Sequence, residues 1–399
     1  MVSGRGNEGD LAIQNDLVYS PGNRLSTVKI TKAGVSRMTQ FQVQKNDFRR
    51  TRLVETDDES VDVADGEIRV QVERFAFTAN NITYATMGDR LGYWQFFKPD
   101  GQDADCWGLI PVWGFGRVVA SGVADVPVGE RLYGYFPPAH CMTMEPVGVR
   151  AERLIDGAAH RVELPAAYNS YSRVAQEPGY EPSMDDERML LWPLHITSFC
   201  LWDVLQDADW YGARRVIIVS ASSKTSIGLA YALHVDANAP AVLGVTAERN
   251  QSFVNRLGLY DRVASYDELL EIDASIPTAV VDMSGNGDVL GRLHRHLGEN
   301  MVRCINVGLT HWEETGKSDG VIAERSEFFF APSHIQKRYK DWGPEGFAEK
   351  TSAFLRDATL QSREWLKLTP ISGLDEFAVV YPDVCAGRIA PDEGLIVAL

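Results

Sequence analysis

Four runs that are apolar on both faces constrain this chain more than any other feature. RRVIIVSAS (residues 214–222) precedes IGLAYALHVDA, and APAVLGVT (239–246) precedes ERNQSFVNRLG. TAVVDMSG (278–285) precedes DVLGRLHRHLG, and MVRCINVG (301–308) closes the series. A strand without a polar face must be covered on both sides, and the following segments have the spacing of covering helices. The alternation therefore predicts an α/β unit with a doubly wound parallel sheet of the Rossmann type.

The preceding half follows a different rule. GEIRVQVERFAFT (66–78), WGLIPVWGFGRVVASG (107–122) and GERLYGYFPP (129–138) alternate apolar and polar residues and are punctuated by Gly and Pro. This period of two predicts a small antiparallel β domain. The expected organisation is a polar lead-in over 1–40, a β domain over 41–190 and a nucleotide-type domain over 191–335. Aromatic-rich helices and a closing strand follow over 336–399. No solenoid-type repeat or low-complexity stretch interrupts it.

Charge excludes some partners. Lys and Arg number 39 against 55 Asp and Glu, a formal net charge of −16. Such a surface has no electrostatic attraction for nucleic acid or an anionic membrane. Cys106, Cys141, Cys200, Cys304 and Cys385 are odd in number and irregularly spaced, which predicts reduced thiols and a cytoplasmic protein. The first ten residues, MVSGRGNEGD, lack the apolar core of a signal peptide. No run approaches the ~20 apolar residues of a spanning helix, so a soluble chain is expected.

Ligands of open α/β sheets collect at the carboxyl ends of strands, where helix N-termini present free N–H groups. The first such turn is SASSKTSIG (220–228), in which only Gly228 of a three-glycine pattern is present. Ser222, Ser223, Thr225 and Ser226 offer hydroxyls and Lys224 a point charge for phosphate. The same residues also suit a Ser-rich helix cap. Lys224-Thr225 matches the end of a P-loop, but both P-loop glycines are missing. The second strand ends in Thr246, with Arg249 and Asn250 beyond it. These outweigh Glu248 and favour a 2′-phosphate, hence NADPH over NADH. Ser284 and Gly285 in DMSG, and Val307 and Gly308 in NVG, end later strands at the same edge.

Together these segments resemble the medium-chain dehydrogenase/reductase superfamily, in its zinc-independent branch of quinone-oxidoreductase-like and enoyl-reductase-like proteins. TANNITYATMG (78–88), PVWGFGRVV (111–119) and GERLYGY (129–135) resemble that family's GroES-like β domain. LGLYDRVASYDEL (257–269) resembles a segment of its Rossmann domain, and GRIAPDEGLIVAL (387–399) its returning strand. ANNITYA, YWQFF, PVWGFG and SASSKTS are most similar to a bacterial branch of the superfamily. The resemblance covers residues from about 41 to 399 and implies a GroES-like domain, a Rossmann-type domain and a homodimer. Zinc-dependent members carry a Cys and a Gly-His-Glu motif. Here Asn80-Asn81 and Trp113-Gly114-Phe115 stand in those regions, so no zinc is expected.

A zinc-free reductase of conjugated carbonyls must hold the carbonyl oxygen and supply a proton. The resemblance points to Asn81, Tyr84 and Tyr93 for these tasks. Tyr93, flanked by Trp94, Phe96 and Phe97, equally suits an aromatic wall, and Asn81 a turn. His195 and Thr197 are expected to open the helix before the first parallel strand, and His311 to lie near the ligand edge. The bulky set Trp94, Phe96, Phe97, Trp107 and Trp113 suggests an apolar or aromatic small-molecule substrate. The expected activity is NADPH-dependent reduction of an α,β-unsaturated carbonyl or quinone-like compound. The alternative is a non-redox ligand-binding protein, lyase or isomerase with a decayed nucleotide site.

Overall fold

The computed structural model describes residues 37–57, 62–307 and 320–399. The lead-in expected over 1–40 lies outside them up to residue 36, and its last four residues already belong to the strand Arg37–Gln44.

The chain folds into the expected pairing of a GroES-like β domain with a Rossmann-type sheet. Arg37–Gln44 pairs antiparallel with Asp47–Asp57 and with Trp107–Gly108, forming a three-stranded sheet. A nine-stranded mixed sheet is built around Ile68–Phe77, Val112–Ser121 and Arg131–Phe136, with Val112–Ser121 in the middle and antiparallel to both neighbours. The period-two pattern is explained by Ile68, Val70 and Val72, which are buried in its core.

The third sheet has six strands, all parallel. In order they are Arg262–Ser265, Ala241–Thr246, Arg215–Val219, Thr278–Asp282, Met301–Val307 and Ser326–Phe329. Every residue of Arg215–Val219 and Thr278–Asp282 is buried, which is why these runs carry no polar face. Val219 lies opposite both Val245 and Asp282, and Asp282 opposite Asn306, so the strands end along one edge. The chain winds outward in both directions from Arg215–Val219, which makes this edge the topological switch point.

Two elements join the sheets. The closing strand Glu393–Ala398 pairs antiparallel with Ile68–Phe77, as the family resemblance implied. The helix Asp185–Asp207 packs on both layers. It begins ten residues before His195, contrary to the expectation that His195 opens it. Pro193 invites the shorter reading because it removes one helical hydrogen bond, yet it is accommodated inside the helix. Asp185, Asp186 and Glu187 favour the earlier start through the helix dipole. Arg131 and Arg74 pair with Asp185 at 2.6 Å and Asp186 at 2.9 Å, and so pin this end to the mixed sheet. Further along, Ser198 Oγ donates to Thr225 O at 2.7 Å, which ties the helix to the parallel sheet's first turn. Among the described residues, no helix is long and apolar enough to cross a membrane.

Candidate functional site

The first parallel strand leads into the turn Ser220–Ser223 and then the helix Lys224–Val235. Ser220 has φ of 63°, a left-handed backbone that glycine normally supplies. The serine turn thus adopts glycine-like geometry without glycine. Ser223 caps the helix by accepting from Ser226 N at 3.2 Å, and the Ser226 hydroxyl donates to Met283 Sδ at 3.1 Å. Ser226 is fully buried and supports the turn from behind. Ser222 Oγ accepts from Thr246 Oγ1 at 3.2 Å and from Asn250 Nδ2 at 3.1 Å. Residues predicted on two separate strand ends therefore form one cluster.

This edge borders a cavity of about 800 Å³. Ser222, Ser223, Thr225, Arg249 and Asn250 line one side, and the segment from Val384 to Leu395 lines the other. Its charged liners are Lys224, Arg249, Arg388 and Glu393, so cations outnumber carboxylates three to one.

Lys224 requires a correction. Its ammonium is not a free point charge, because it donates to Pro391 O at 3.1 Å and Glu393 O at 2.6 Å. Desolvation pushes its pKa down to about 8, against the pull of Asp392 and Glu393. The helix start faces the returning C-terminal strand, whose loop carbonyls take the place of phosphate oxygens. Arg388, which sequence reasoning missed, lies on that loop with its Nε 2.8 Å from Asp383.

A second cavity of about 260 Å³ lies between the sheets. Ser223, Thr225, Met283, Ser284 and Val307 approach from the parallel sheet, and Asn80, Tyr84, Tyr93 and Tyr168 from the other side. Tyr84 comes from the helix Ala79–Thr86 and Tyr93 from the short turn Tyr93–Gln95. Their rings lie 4.6 Å apart, and the Tyr93 hydroxyl is 3.2 Å from that of Tyr168. Burial pushes all three phenols above their ordinary pKa, so each holds its proton at neutral pH. Such groups can donate a proton to a developing oxyanion.

Asn81 does not join them. Its Oδ1 accepts from Thr78 N at 2.8 Å in a capping box, and its Nδ2 donates to Pro111 O at 2.9 Å. The side chain holds the helix that presents Tyr84, and its neighbour Asn80 reaches the cavity instead. Gly285, with φ of 60°, turns the chain beside Ser284, whose N–H and hydroxyl both donate to Asp282 Oδ1. Gly308 and His311 lie outside the described residues. His195 is buried mid-helix against Gly228, with both ring nitrogens lacking hydrogen-bond partners. Tyr168 carried no signal, since nothing in AAYNS marks it as a neighbour of residues 75 positions earlier.

A third cavity, also about 260 Å³, adjoins the second and shares Tyr84, Tyr168, Pro193 and Thr197 with it. Among the described residues, no three His, Cys, Asp or Glu side chains converge as metal ligands would.

A family model described as "Protein of unknown function (DUF2855)" matches residues 75–390. No protein with a curated description matches the chain. Solved structures do. The quinone oxidoreductase from Coxiella burnetii is 16% identical with a TM-score of 0.53, covering 91% of this chain and 100% of that one. CurA from Vibrio vulnificus, solved in complex with NADPH, is 12% identical with a TM-score of 0.56, covering 87% and 94%. A mutant form of enoyl thioester reductase from Candida tropicalis is 10% identical with a TM-score of 0.54, covering 91% and 100%. The shared property at these identities is the fold.

Proposed function

The chain belongs to the DUF2855 family, and we propose that it is a zinc-independent, NADPH-dependent oxidoreductase acting on an α,β-unsaturated carbonyl or quinone-like small molecule. One observation carries this reading. In a chain with net charge −16, the 800 Å³ cavity at the switch point is lined by Arg249 and Arg388, besides the committed Lys224, against one carboxylate, Glu393. That inversion of charge suits a ligand bearing several phosphates. Its volume lies within the range of cofactor sites. The NADPH-bound CurA structure, which has the same fold, supports the choice of cofactor.

Arg249, with the cluster of Ser222, Thr246 and Asn250 beside it, would hold the 2′-phosphate, and Arg388 would meet charge from the opposite wall. The reacting end would lie in the inter-sheet cavity, against Thr225, Met283 and Ser284. Bound NADPH supplies hydride to the electron-poor carbon of the substrate. The chain's own part is to hold the carbonyl between the tyrosines, exclude water with the Phe328–Pro332 wall, and return a proton. Tyr84 borders both 260 Å³ cavities and is the proton donor in this scheme, with Tyr93 and Tyr168 beside it as a hydroxyl pair.

Fluorescence titration with NADPH and NADH tests the cofactor, and enone-dependent oxidation of NADPH tests the reaction. Saturable, NADPH-preferring binding is expected, and absence of binding by either nucleotide overturns the reading. Tyr84→Phe should lower kcat by about 10²–10⁴-fold with NADPH affinity unchanged. A second reading, a non-redox ligand-binding member, draws on Lys224, whose ammonium is spent on backbone carbonyls. Substrate-dependent hydride transfer would exclude it.

A further inference from the structure

Neither 260 Å³ cavity is lined by a charged side chain among the described residues. The adjoining cavity is walled instead by rings, including those of Trp113, Tyr133, Tyr168, Trp192 and Tyr339. An aromatic box of this kind ordinarily suits a cation. Here that role is already taken. The Arg188 guanidinium lies 4.2 Å from the ring centres of both Tyr133 and Trp192. Arg188 is buried; among the described residues its ion pair is with Glu177, at 2.8 Å from Nη2, and its Nε has no hydrogen-bond partner. A second cation against these rings would meet repulsion, and a carboxylate would lose its hydration without a facing partner. The box is therefore set for a neutral body.

Among the residues that line this cavity, one polar demand remains. The indole N–H of Trp113 is buried without a hydrogen-bond partner, and it lies beside the Tyr84 hydroxyl. An orphaned donor of this kind is satisfied by a ligand that brings an acceptor. Tyr84 also borders the inter-sheet cavity, so an oxygen held between its hydroxyl and the Trp113 N–H would stand at the junction of the two spaces.

We infer that the substrate is an uncharged carbonyl compound with an aromatic body. The body occupies the cavity of Trp113, Tyr133 and Trp192, the oxygen meets the Trp113 N–H, and Arg188 sets the box against cations. This deepens the proposed reductase reading and rests on it only for the chemistry performed, not for the binding.

Calorimetric titration without cofactor tests it, using benzylideneacetone and its para-carboxylate and para-trimethylammonium analogues. Benzylideneacetone should bind saturably and each charged analogue at least about tenfold more weakly. Arg188→Met combined with Glu177→Gln should recover the trimethylammonium analogue while leaving benzylideneacetone within about threefold. Trp113→Phe should weaken benzylideneacetone by about tenfold yet leave β-methylstyrene, which lacks the oxygen, unchanged. Ala167→Leu narrows the same cavity from the short helical turn Ala166–Tyr168, and should weaken both neutral ligands even if the Trp113 variant fails to fold. Equal binding of neutral and charged compounds, or no binding of benzylideneacetone, overturns the inference. Because NADPH is titrated separately, loss of nucleotide binding alone would overturn the redox reading and leave this site standing.

Discussion

Two cations at the large cavity differ in what they are free to do. Arg249 is exposed at the start of the helix Glu248–Arg256 and lines the cavity beside the Ser222 cluster. Arg249→Ala should cost one charge-assisted contact of about 1.5–3 kcal/mol, hence roughly 10- to 100-fold in NADPH affinity. NADH affinity should not change, and parallel fluorescence titrations check both halves of the prediction. Lys224 is committed to two carbonyls on another element, so its removal acts first on stability. Lys224→Met should lower the unfolding free energy by about 1.5–3 kcal/mol in urea titration. A lysine merely solvated at a helix start would leave it unchanged or raise it, because an N-terminal cation opposes the dipole. Residue type was thus legible at Lys224, but its partner, 167 positions away, was not.

At the scale of elements, the surviving glycine of the first turn serves helix packing. A Cβ at Gly228 would lie 2.6 Å from both His195 Cδ2 and Ser198 Oγ, so the helices Lys224–Val235 and Asp185–Asp207 can approach only because it is absent. Gly228→Ala should destabilise by about 1–3 kcal/mol through overpacking, read from the urea midpoint. Ser198→Gly in the same chain should restore part of the loss. The other glycine positions of such a motif serve turn geometry and close backbone approach. Ser220 reaches the left-handed turn as serine, so the motif's absence in SASSKTSIG did not mean absence of its shape. The helix start at Asp185 was hidden for the opposite reason, since Pro193 is a strong breaker locally but is tolerated in a packed helix.

For the whole molecule, pH dependence follows from two buried histidines in different layers. Burial pushes His195 and His294 from the ordinary 6.5 down to about 4, and the Ile322 N–H donates to His294 Nδ1 at 2.9 Å. Between pH 6.5 and 4 the unfolded chain binds these protons and the folded chain does not. Stability is therefore fully present above 6.5 and falls with pH, by up to about 1.4 kcal/mol per unit for each histidine. Asp282, raised by burial, works in the opposite direction and offsets part of the slope. Urea unfolding between pH 7 and 5 should show the decline, and His195→Met should flatten it by about one histidine's share. An identical slope in that variant would show that His195 already titrates normally in the folded chain.

What the sequence determined by itself was whatever depends on a strand's own faces and on chain order. RVIIV, AVLGVT and TAVVD lack a polar face and so had to be buried parallel strands, and GEIRVQV, with one polar face, had to lie in a half-exposed sheet. The acidic surface and the polar edge at Ser222, Thr246 and Asn250 were legible for the same reason, since each is a local property of composition or position, whereas the returning tail was legible only through the family resemblance. The tertiary structure alone decided which side chains meet across the two sheets. It brought Tyr168 to Tyr93 and set Arg388 across the cavity from Arg249, and it spent Asn81 on a helix cap while turning Asn80 to the cavity. Hydrophobic periodicity specifies that a face is buried but not its partner, and a polar side chain's role depends on which donor or acceptor the fold places beside it.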